Sequence, residues 1–131
     1  MLRFCAAINC MDGRVQVPVL RHLQARFGAD CVDNITEPGP NLILAAGTDT
    51  AAIESILRRV RISIEQHGSV GIAVVGHYDC AANPAPEAEQ NRQTAAAVAR
   101  LEAEFDGVPV IGLWVGERWT VHELDAVEAE R

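Results

Sequence analysis

The sequence has no long hydrophobic run and no excess of positive charge, and each absence makes one class of function unlikely. Its longest uninterrupted apolar stretches are far shorter than the roughly 18 residues that a membrane-spanning helix needs. Acidic residues outnumber basic ones by 18 to 11, which gives a formal net charge of −7. Because a nucleic-acid partner requires a basic face, none is expected. The apolar run near Arg3 is interrupted early by Asp12 and Arg14, so no signal peptide is expected and the predicted location is the cytoplasm.

The overall composition fits one globular domain spanning residues 1–131. Apolar residues make up 49% of the 131 positions, which is enough for a substantial core. The chain has four cysteines. In a protein expected in the cytoplasm, cysteines indicate metal binding or catalysis before disulfides. Cys5 and Cys31 lie in predicted strands, and we expect them to be buried thiols.

Strand and helix patterns alternate along the chain and predict a three-layer α/β fold. The central sheet should be mainly parallel with strand order 2-1-3-4, and a short fifth strand could form an antiparallel edge. The predicted strands cover residues 2–9, 31–35, 70–75, 108–115 and 119–123, and the predicted helices cover residues 17–27, 48–67 and 87–105. A frayed helical tail is predicted after residue 123. Residues 36–40 are expected to form a loop because they contain two prolines and a glycine. Residues 41–46 fit either a helix or a strand.

Two short polar motifs follow predicted strands and contain the residues with the most distinctive chemistry. The first is Cys10-Met11-Asp12-Gly13-Arg14, after strand 1, and the second is Gly76-His77-Tyr78-Asp79-Cys80, after strand 3. In the predicted strand order, strands 1 and 3 are neighbours. The crevice at the carboxyl ends of such strands is where α/β sheets bind ligands. The two motifs are therefore expected to meet.

The residue types in these motifs predict a zinc site formed by Cys10, His77 and Cys80. Two thiolates and one imidazole are a common ligand set for Zn²⁺, and the His-x-x-Cys spacing lets one turn present two ligands. Three protein ligands and an open position are typical of catalytic zinc, whereas four are typical of a closed structural site. Asp12 is the candidate fourth ligand, so both types of site stay open at this point.

Asp12 and Arg14 are the candidate catalytic residues. If this segment is locally extended, their side chains lie on the same side and can form a bidentate pair. Such a pair would orient the Asp12 carboxylate and hold it away from the metal. The alternative is an ordinary surface ion pair, worth less than about 1 kcal/mol.

For other polar and aromatic residues, the sequence predicts less specific roles. Asp79 could act on the site indirectly or could simply cap a turn. Glu37 could reach the site from its loop. His122 is expected to be structural. Trp114 and Trp119 are expected to be anchors of the core or of a subunit interface.

The motifs resemble the signature of the β-class carbonic anhydrases. The similarity rests on Cys10-x-Asp12-x-Arg14 and on Gly76-His77-x-Asp79-Cys80, and it extends to a terminal hairpin at residues 113–124. The resemblance implies a zinc enzyme that interconverts carbon dioxide and bicarbonate through a zinc-bound hydroxide. Cys10, His77 and Cys80 would be the zinc ligands, and Asp12 and Arg14 the catalytic pair. The resemblance also implies a homodimer or a larger homo-oligomer.

The chain departs from this family's usual pattern in three places. Gly13 stands where the family usually has Ser, and Ala81 where it usually has Gly. Residues 36–40 replace a loop that usually reads Arg-Asn-Ala-Gly. Three alternatives to carbon dioxide hydration therefore stay open: a zinc hydrolase of carbonyl sulfide or carbon disulfide, a non-catalytic protein whose zinc is closed by Asp12, and a metal-free hydrolase that uses Cys80.

Overall fold

Five strands form the central sheet of the computed structural model, which describes residues 1–125. In chain order they are β1 (Phe4–Cys10), β2 (Cys31–Glu37), β3 (Ile72–His77), β4 (Val110–Val115) and β5 (Val121–Glu123). The strands lie in the order β2-β1-β3-β4-β5. The pairs formed by β1 with β2, β1 with β3 and β3 with β4 are parallel, and β5 is antiparallel to β4. The predicted strand order and antiparallel edge are confirmed.

Within residues 1–125, four α-helices cover the sheet: α1 (Gln16–Phe27), α2 (Pro40–Ala46), α3 (Thr50–His67) and α4 (Glu87–Glu104). A short 3₁₀ helix, Gly13–Val15, precedes α1. The Asp49 carboxylate caps α3 by accepting a hydrogen bond from the amide of Ala52 at 3.1 Å. No helix in the described part of the chain is both long enough and apolar enough to cross a membrane.

The core lies on both faces of the sheet because successive strand side chains point in opposite directions. Ala7 belongs to the cluster that contains the buried residues of α1, whereas Ile8 belongs to the cluster that contains those of α2, α3 and α4. Helix α1 therefore covers one face and the other three helices cover the second. Burial on both faces explains why β3 is apolar throughout its first five residues.

The buried face of α1 does not include every apolar residue at helical spacing. Val17 and Leu20 lie at helical spacing with Leu23 and Phe27, but they are 52% and 39% exposed. The side chains that enter the core are Val15, Val19, Leu23 and Phe27. These four follow one another at intervals of four residues, so they form a continuous stripe that starts in the 3₁₀ turn.

The segment 36–40 is more regular than predicted. Strand β2 continues to Glu37, and Pro40 is the first residue of α2. Proline suits this position because the first amide of a helix has no intrahelical partner. Only residues 38 and 39 are irregular, and the ambiguous segment 41–46 is helical.

Other boundaries shift by a few residues. Strand β3 begins at Ile72 and extends to His77, because His77 still pairs in register with Val115 of β4. Strand β5 begins only at Val121, and Trp119 lies in the turn before it. A helical tail was predicted after β5, and its residues 126–131 lie outside the described part of the chain.

Candidate metal centre

Cys10 and His77 lie at the carboxyl ends of two neighbouring parallel strands. Cys10 is the last residue of β1, His77 is the last residue of β3, and Cys80 follows in the next turn. All three side chains are buried, and their potential ligand atoms lie within 4.8 Å of one another. The two sulfur atoms are 3.9 Å apart. Among residues 1–125, no other group of three or more His, Cys, Asp or Glu side chains comes together in this way.

The His77 ring is oriented by the main-chain carbonyl of the next residue, Tyr78. Its Nδ1 atom lies 2.8 Å from the carbonyl oxygen of Tyr78, to which it donates a hydrogen bond in the neutral Nδ1–H tautomer. Its Nε2 atom is buried and has no hydrogen-bond partner. Because a buried polar atom without a partner is costly, this orphan lone pair beside two thiols fits a metal ligand.

The protein environment lowers the pKa of the Cys10 thiol and raises the pKa of the Cys80 thiol. Burial raises the pKa of Cys10, but the His77 imidazole and the main-chain amides of Gly39 and Asp12 outweigh it and bring the pKa down to about 7. Burial raises the pKa of Cys80, and the neighbouring Cys10 raises it further. Burial lowers the pKa of His77, but Cys10 and the Tyr78 carbonyl more than offset this, so the pKa rises overall. Of the two thiols, Cys10 is therefore the one that ionises more easily before any metal binds.

Asp12 and Arg14 form the expected pair, but not on an extended segment. The carboxylate accepts from Arg14 Nε at 3.0 Å and from Nη2 at 2.7 Å, and Oδ1 also accepts from the Arg14 amide at 2.9 Å. The last bond caps the 3₁₀ turn that brings the two side chains together. Hydrogen bonding to Arg14 lowers the pKa of Asp12 to about 2. Asp12 is not part of the group of close ligand atoms formed by Cys10, His77 and Cys80.

Arg14 contacts two further residues, Asp79 and Trp119, and neither contact was predicted from the sequence. Its Nη1 donates to Asp79 Oδ2 at 3.2 Å, and its Nη2 donates to the Asp79 carbonyl at 3.1 Å. The guanidinium carbon also lies 4.4 Å from the centroid of the Trp119 ring. Trp119 is thus a neighbour of the candidate catalytic pair, while Trp114 is the buried core residue that we predicted.

A network of buried amide side chains from α2 and α4 supports the His77–Cys80 turn. Gln90 donates to the His77 carbonyl at 2.9 Å and accepts from the His77 amide at 3.2 Å. Asn41 donates to Gln90 and to Thr94, and it accepts from Asn83 at 3.1 Å. None of these residues was predicted from the sequence, since polar side chains in helices usually face solvent.

The segment 36–40 also lies near the site. The Gly39 main chain lies against Ala82 and Asn83, just after Cys80, because a Cβ atom on Gly39 would stand 3.2 Å from Asn83 Cβ. Gly39 has a φ of +60°, which glycine adopts without strain. Gln16 donates to the carbonyls of Cys10 and Asp12, both at 2.8 Å. The main chain around Cys10 is therefore held by a side chain of α1.

Several candidate residues lie elsewhere. Glu37 forms a short ion pair with Arg59 of α3, so its carboxylate is not at the site. His122 is exposed in β5 and lines a groove of about 820 Å³ beside Tyr78 and Pro84. Cys5 is fully buried as expected, and Cys31 is only partly buried.

Comparisons with known proteins agree with this architecture. A family model described as "putative carbonic anhydrase" matches residues 1–125. None of the curated proteins matches the chain. The crystal structure of the β-carbonic anhydrase CafA of the fungal pathogen Aspergillus fumigatus is similar, with a TM-score of 0.50 and 15% sequence identity, over 95% of this chain and 76% of that one. At this identity the likeness concerns the fold alone. The chain belongs to the family described as putative carbonic anhydrases, and it has the β-carbonic anhydrase fold.

Proposed function

We propose that this protein binds Zn²⁺ through Cys10, His77 and Cys80 and catalyses the reversible hydration of carbon dioxide to bicarbonate. One observation carries the proposal. Three buried ligand atoms converge at the carboxyl ends of β1 and β3, while the nearby Asp12 carboxylate is engaged by Arg14. A three-ligand site with an unused position is the arrangement that catalytic zinc requires.

The donor set fits zinc in both chemistry and spacing. Two Zn–S bonds of about 2.3 Å at a tetrahedral angle place their sulfur atoms about 3.8 Å apart. The sulfur atoms of Cys10 and Cys80 are 3.9 Å apart. The orphan Nε2 of His77 supplies the third donor. When bound, Zn²⁺ lowers the pKa of a coordinated water to about 7 and so provides a nucleophile at neutral pH.

The Asp12–Arg14 pair would orient the reacting water. With a pKa near 2, Asp12 is ionised at neutral pH, so its carboxylate accepts hydrogen bonds and cannot donate them. Arg14 fixes the plane of this carboxylate by binding both of its oxygens. A water molecule that donates a hydrogen bond to Asp12 would direct the lone pair of the water oxygen towards the substrate. The same contacts argue against closure of the metal site by Asp12.

We also propose a homodimer in the cytoplasm. Met11 and Tyr78 flank the candidate metal site and are 64% and 44% exposed, so a second copy of the chain could cover them. The described cysteines are all free thiols, which suits a reducing compartment. Light scattering would test the dimer, and a monomer at micromolar concentration would contradict it.

The test of the reaction combines metal analysis with a pH-indicator assay of carbon dioxide hydration. We expect one Zn²⁺ per chain and a rate that falls at least about tenfold in Asp12→Asn, in line with changes next to a metal ligand. Asp106→Asn is the matched control, because Asp106 is exposed in the turn before β4. Stoichiometric zinc without hydration above buffer at pH 7 and pH 8.5 would refute the proposal. Sulfide release from carbonyl sulfide or carbon disulfide in the same preparation would identify the alternative hydrolase.

A further inference from the structure

Two residues with unusual backbone conformations contact the same side chain. Among the described non-glycine residues, only Asp79 and Trp119 have positive φ values, 57° and 59°. Both touch the guanidinium of Arg14, Asp79 through two hydrogen bonds and Trp119 through its ring. Such conformations are strained and persist where the surrounding structure enforces them. For a bulky residue such as tryptophan, a positive φ is a clear outlier.

The turn between β4 and β5 holds Trp119 in this conformation. The Trp119 amide donates to the Gly116 carbonyl at 2.9 Å, and the Gly116 amide donates to the Thr120 carbonyl at 3.1 Å. The indole packs against the core cluster that contains Cys10 and Cys80, and it meets the Tyr78 ring edge-on at 6.5 Å between centroids. The ring is thus fixed by the hairpin on one side and by the His77–Cys80 turn on the other.

Arg14 needs such support because its side chain is 44% exposed. The attraction in a partly exposed ion pair is screened by water, so a further contact helps to hold the Arg14 guanidinium in one orientation. A guanidinium over an indole face is attracted by the ring, and the attraction is stronger where water is excluded. The Asp79 side chain is 70% exposed, which leaves its charge largely screened. The aromatic contact therefore restrains Arg14 in addition to the two hydrogen bonds that Arg14 donates to Asp79.

We propose that Trp119 is a positioning residue that holds Arg14 in place, so that Arg14 keeps the Asp12 carboxylate off the metal position bounded by Cys10, His77 and Cys80. This inference rests on the proposed zinc site. Asp12 is only two residues from Cys10, so its carboxylate could turn to the metal once Arg14 releases it. Trp119 then decides whether the site is open or closed, without touching the metal itself.

The test is the response of the Co²⁺-loaded protein to azide, followed by visible absorption at one pH. We expect azide to change the spectrum of the unmodified protein, because a position is free. In Trp119→Leu, we expect Asp12 to occupy that position and the apparent azide affinity to fall at least about tenfold, the scale of changes around metal ligands. A crystal structure of the Co²⁺-loaded variant should show an Asp12 carboxylate oxygen as the fourth ligand.

Three further variants separate positioning from a general loss of structure. Trp119→Phe keeps an aromatic face and should retain the azide response. The double variant Trp119→Leu with Asp12→Asn should regain it, because the closing carboxylate is gone. Trp119→Met is a second apolar replacement for use if Trp119→Leu does not fold. Leucine and methionine are chosen because β-branched residues tolerate positive φ poorly.

The outcomes for Trp119 and for the reaction are distinct. An unchanged azide response in Trp119→Leu or Trp119→Met would overturn the role of Trp119. An unmodified protein that binds Co²⁺ but ignores azide would also overturn it, since Asp12 would not be held off the metal. If azide binds to the unmodified protein, binds at least about tenfold more weakly to Trp119→Leu and regains its affinity in the double variant, the positioning role stands. Absence of carbon dioxide hydration would then refute only the proposed reaction.

Discussion

Gln90 holds the main chain of His77 on both of its polar groups. Its Nε2 atom donates to the His77 carbonyl at 2.9 Å, and its Oε1 atom accepts from the His77 amide at 3.2 Å. All of these groups are buried, so no solvent replaces either bond. The position of the candidate ligand therefore depends on a helix residue that does not itself contact the thiols.

Replacing Gln90 with methionine should weaken both the fold and metal binding. The substitution leaves the amide and the carbonyl of His77 without partners, at about 1–3 kcal/mol for each buried group. We expect the free energy of unfolding to fall by about 2–4 kcal/mol in urea titrations of the metal-free protein. Zinc affinity, measured by competition with a chelator, should fall about 10–100-fold. Gln66→Met on the exposed side of α3 is the control, and equal effects in the two variants would contradict the role of Gln90.

Two glycines near the site should respond differently to an added side chain. A Cβ on Gly76 would lie 2.7 Å from Asn41 Nδ2 and 3.0 Å from Gln90 Oε1, whereas a Cβ on Gly13 would meet nothing within 4 Å. Gly76→Ala should therefore displace the buried amides and cost about 1–3 kcal/mol. Gly13→Ser, which restores the residue usual in the β class, should change stability by less than about 0.5 kcal/mol. Thermal unfolding of both variants gives the comparison, and a larger loss for Gly13→Ser would show that the space around Gly13 is not free.

The sequence was sufficient to predict which residues meet at the ends of β1 and β3. Strand alternation gives the parallel order, and the order brings Cys10 next to His77, while Cys80 is tied to His77 by a local turn. These relationships depend on strand neighbours and on short spacings. Both are encoded by hydrophobic patterns and turn residues.

The contacts around this group could not be predicted in the same way. Trp119 of the β4–β5 turn reaches Arg14 through a contact between segments that are distant in the chain, and no spacing links the two residues. Gln90 is one of several polar residues near the start of α4, and its sequence neighbours give no sign that it is buried. The pairing of Asp12 with Arg14 was predicted for an extended segment but depends on a 3₁₀ turn. In each case the tertiary arrangement overrides the local pattern.

The Asp12–Arg14 pair should make stability depend on pH in the acid range. Asp12 has its pKa lowered from an ordinary 3.8 to about 2 by its bonds to Arg14. A carboxylate with a lowered pKa in the folded state stabilises the protein above its unfolded pKa, and the effect is lost as the pH falls through the folded value. We expect the difference in unfolding free energy between the metal-free protein and Asp12→Asn to be constant above about pH 5 and to shrink between about pH 4 and pH 2. In an Arg14→Gln background the same substitution should show a smaller pH dependence, and an equal one would assign the effect to another group.

Zinc should stabilise the fold because it joins the end of β1 to the turn after β3. Cys10 and Cys80 are 70 residues apart in the chain, so an unfolded chain presents no preformed site. At a free zinc concentration of 100 times the dissociation constant, linkage gives about 2.7 kcal/mol of stabilisation. For a domain of this size, that corresponds to a rise in melting temperature of roughly 10 °C. The rise should become smaller as the pH falls, because protons compete with the metal for the thiolates and the imidazole.

Two cysteine variants test whether zinc binds at this site. Cys80→Ser should lose most of the stabilisation by zinc. Cys31→Ser replaces a partly buried cysteine in β2 outside the ligand group and should keep the stabilisation. An identical zinc response in both variants, measured by scanning fluorimetry with and without a chelator, would show that zinc binds elsewhere.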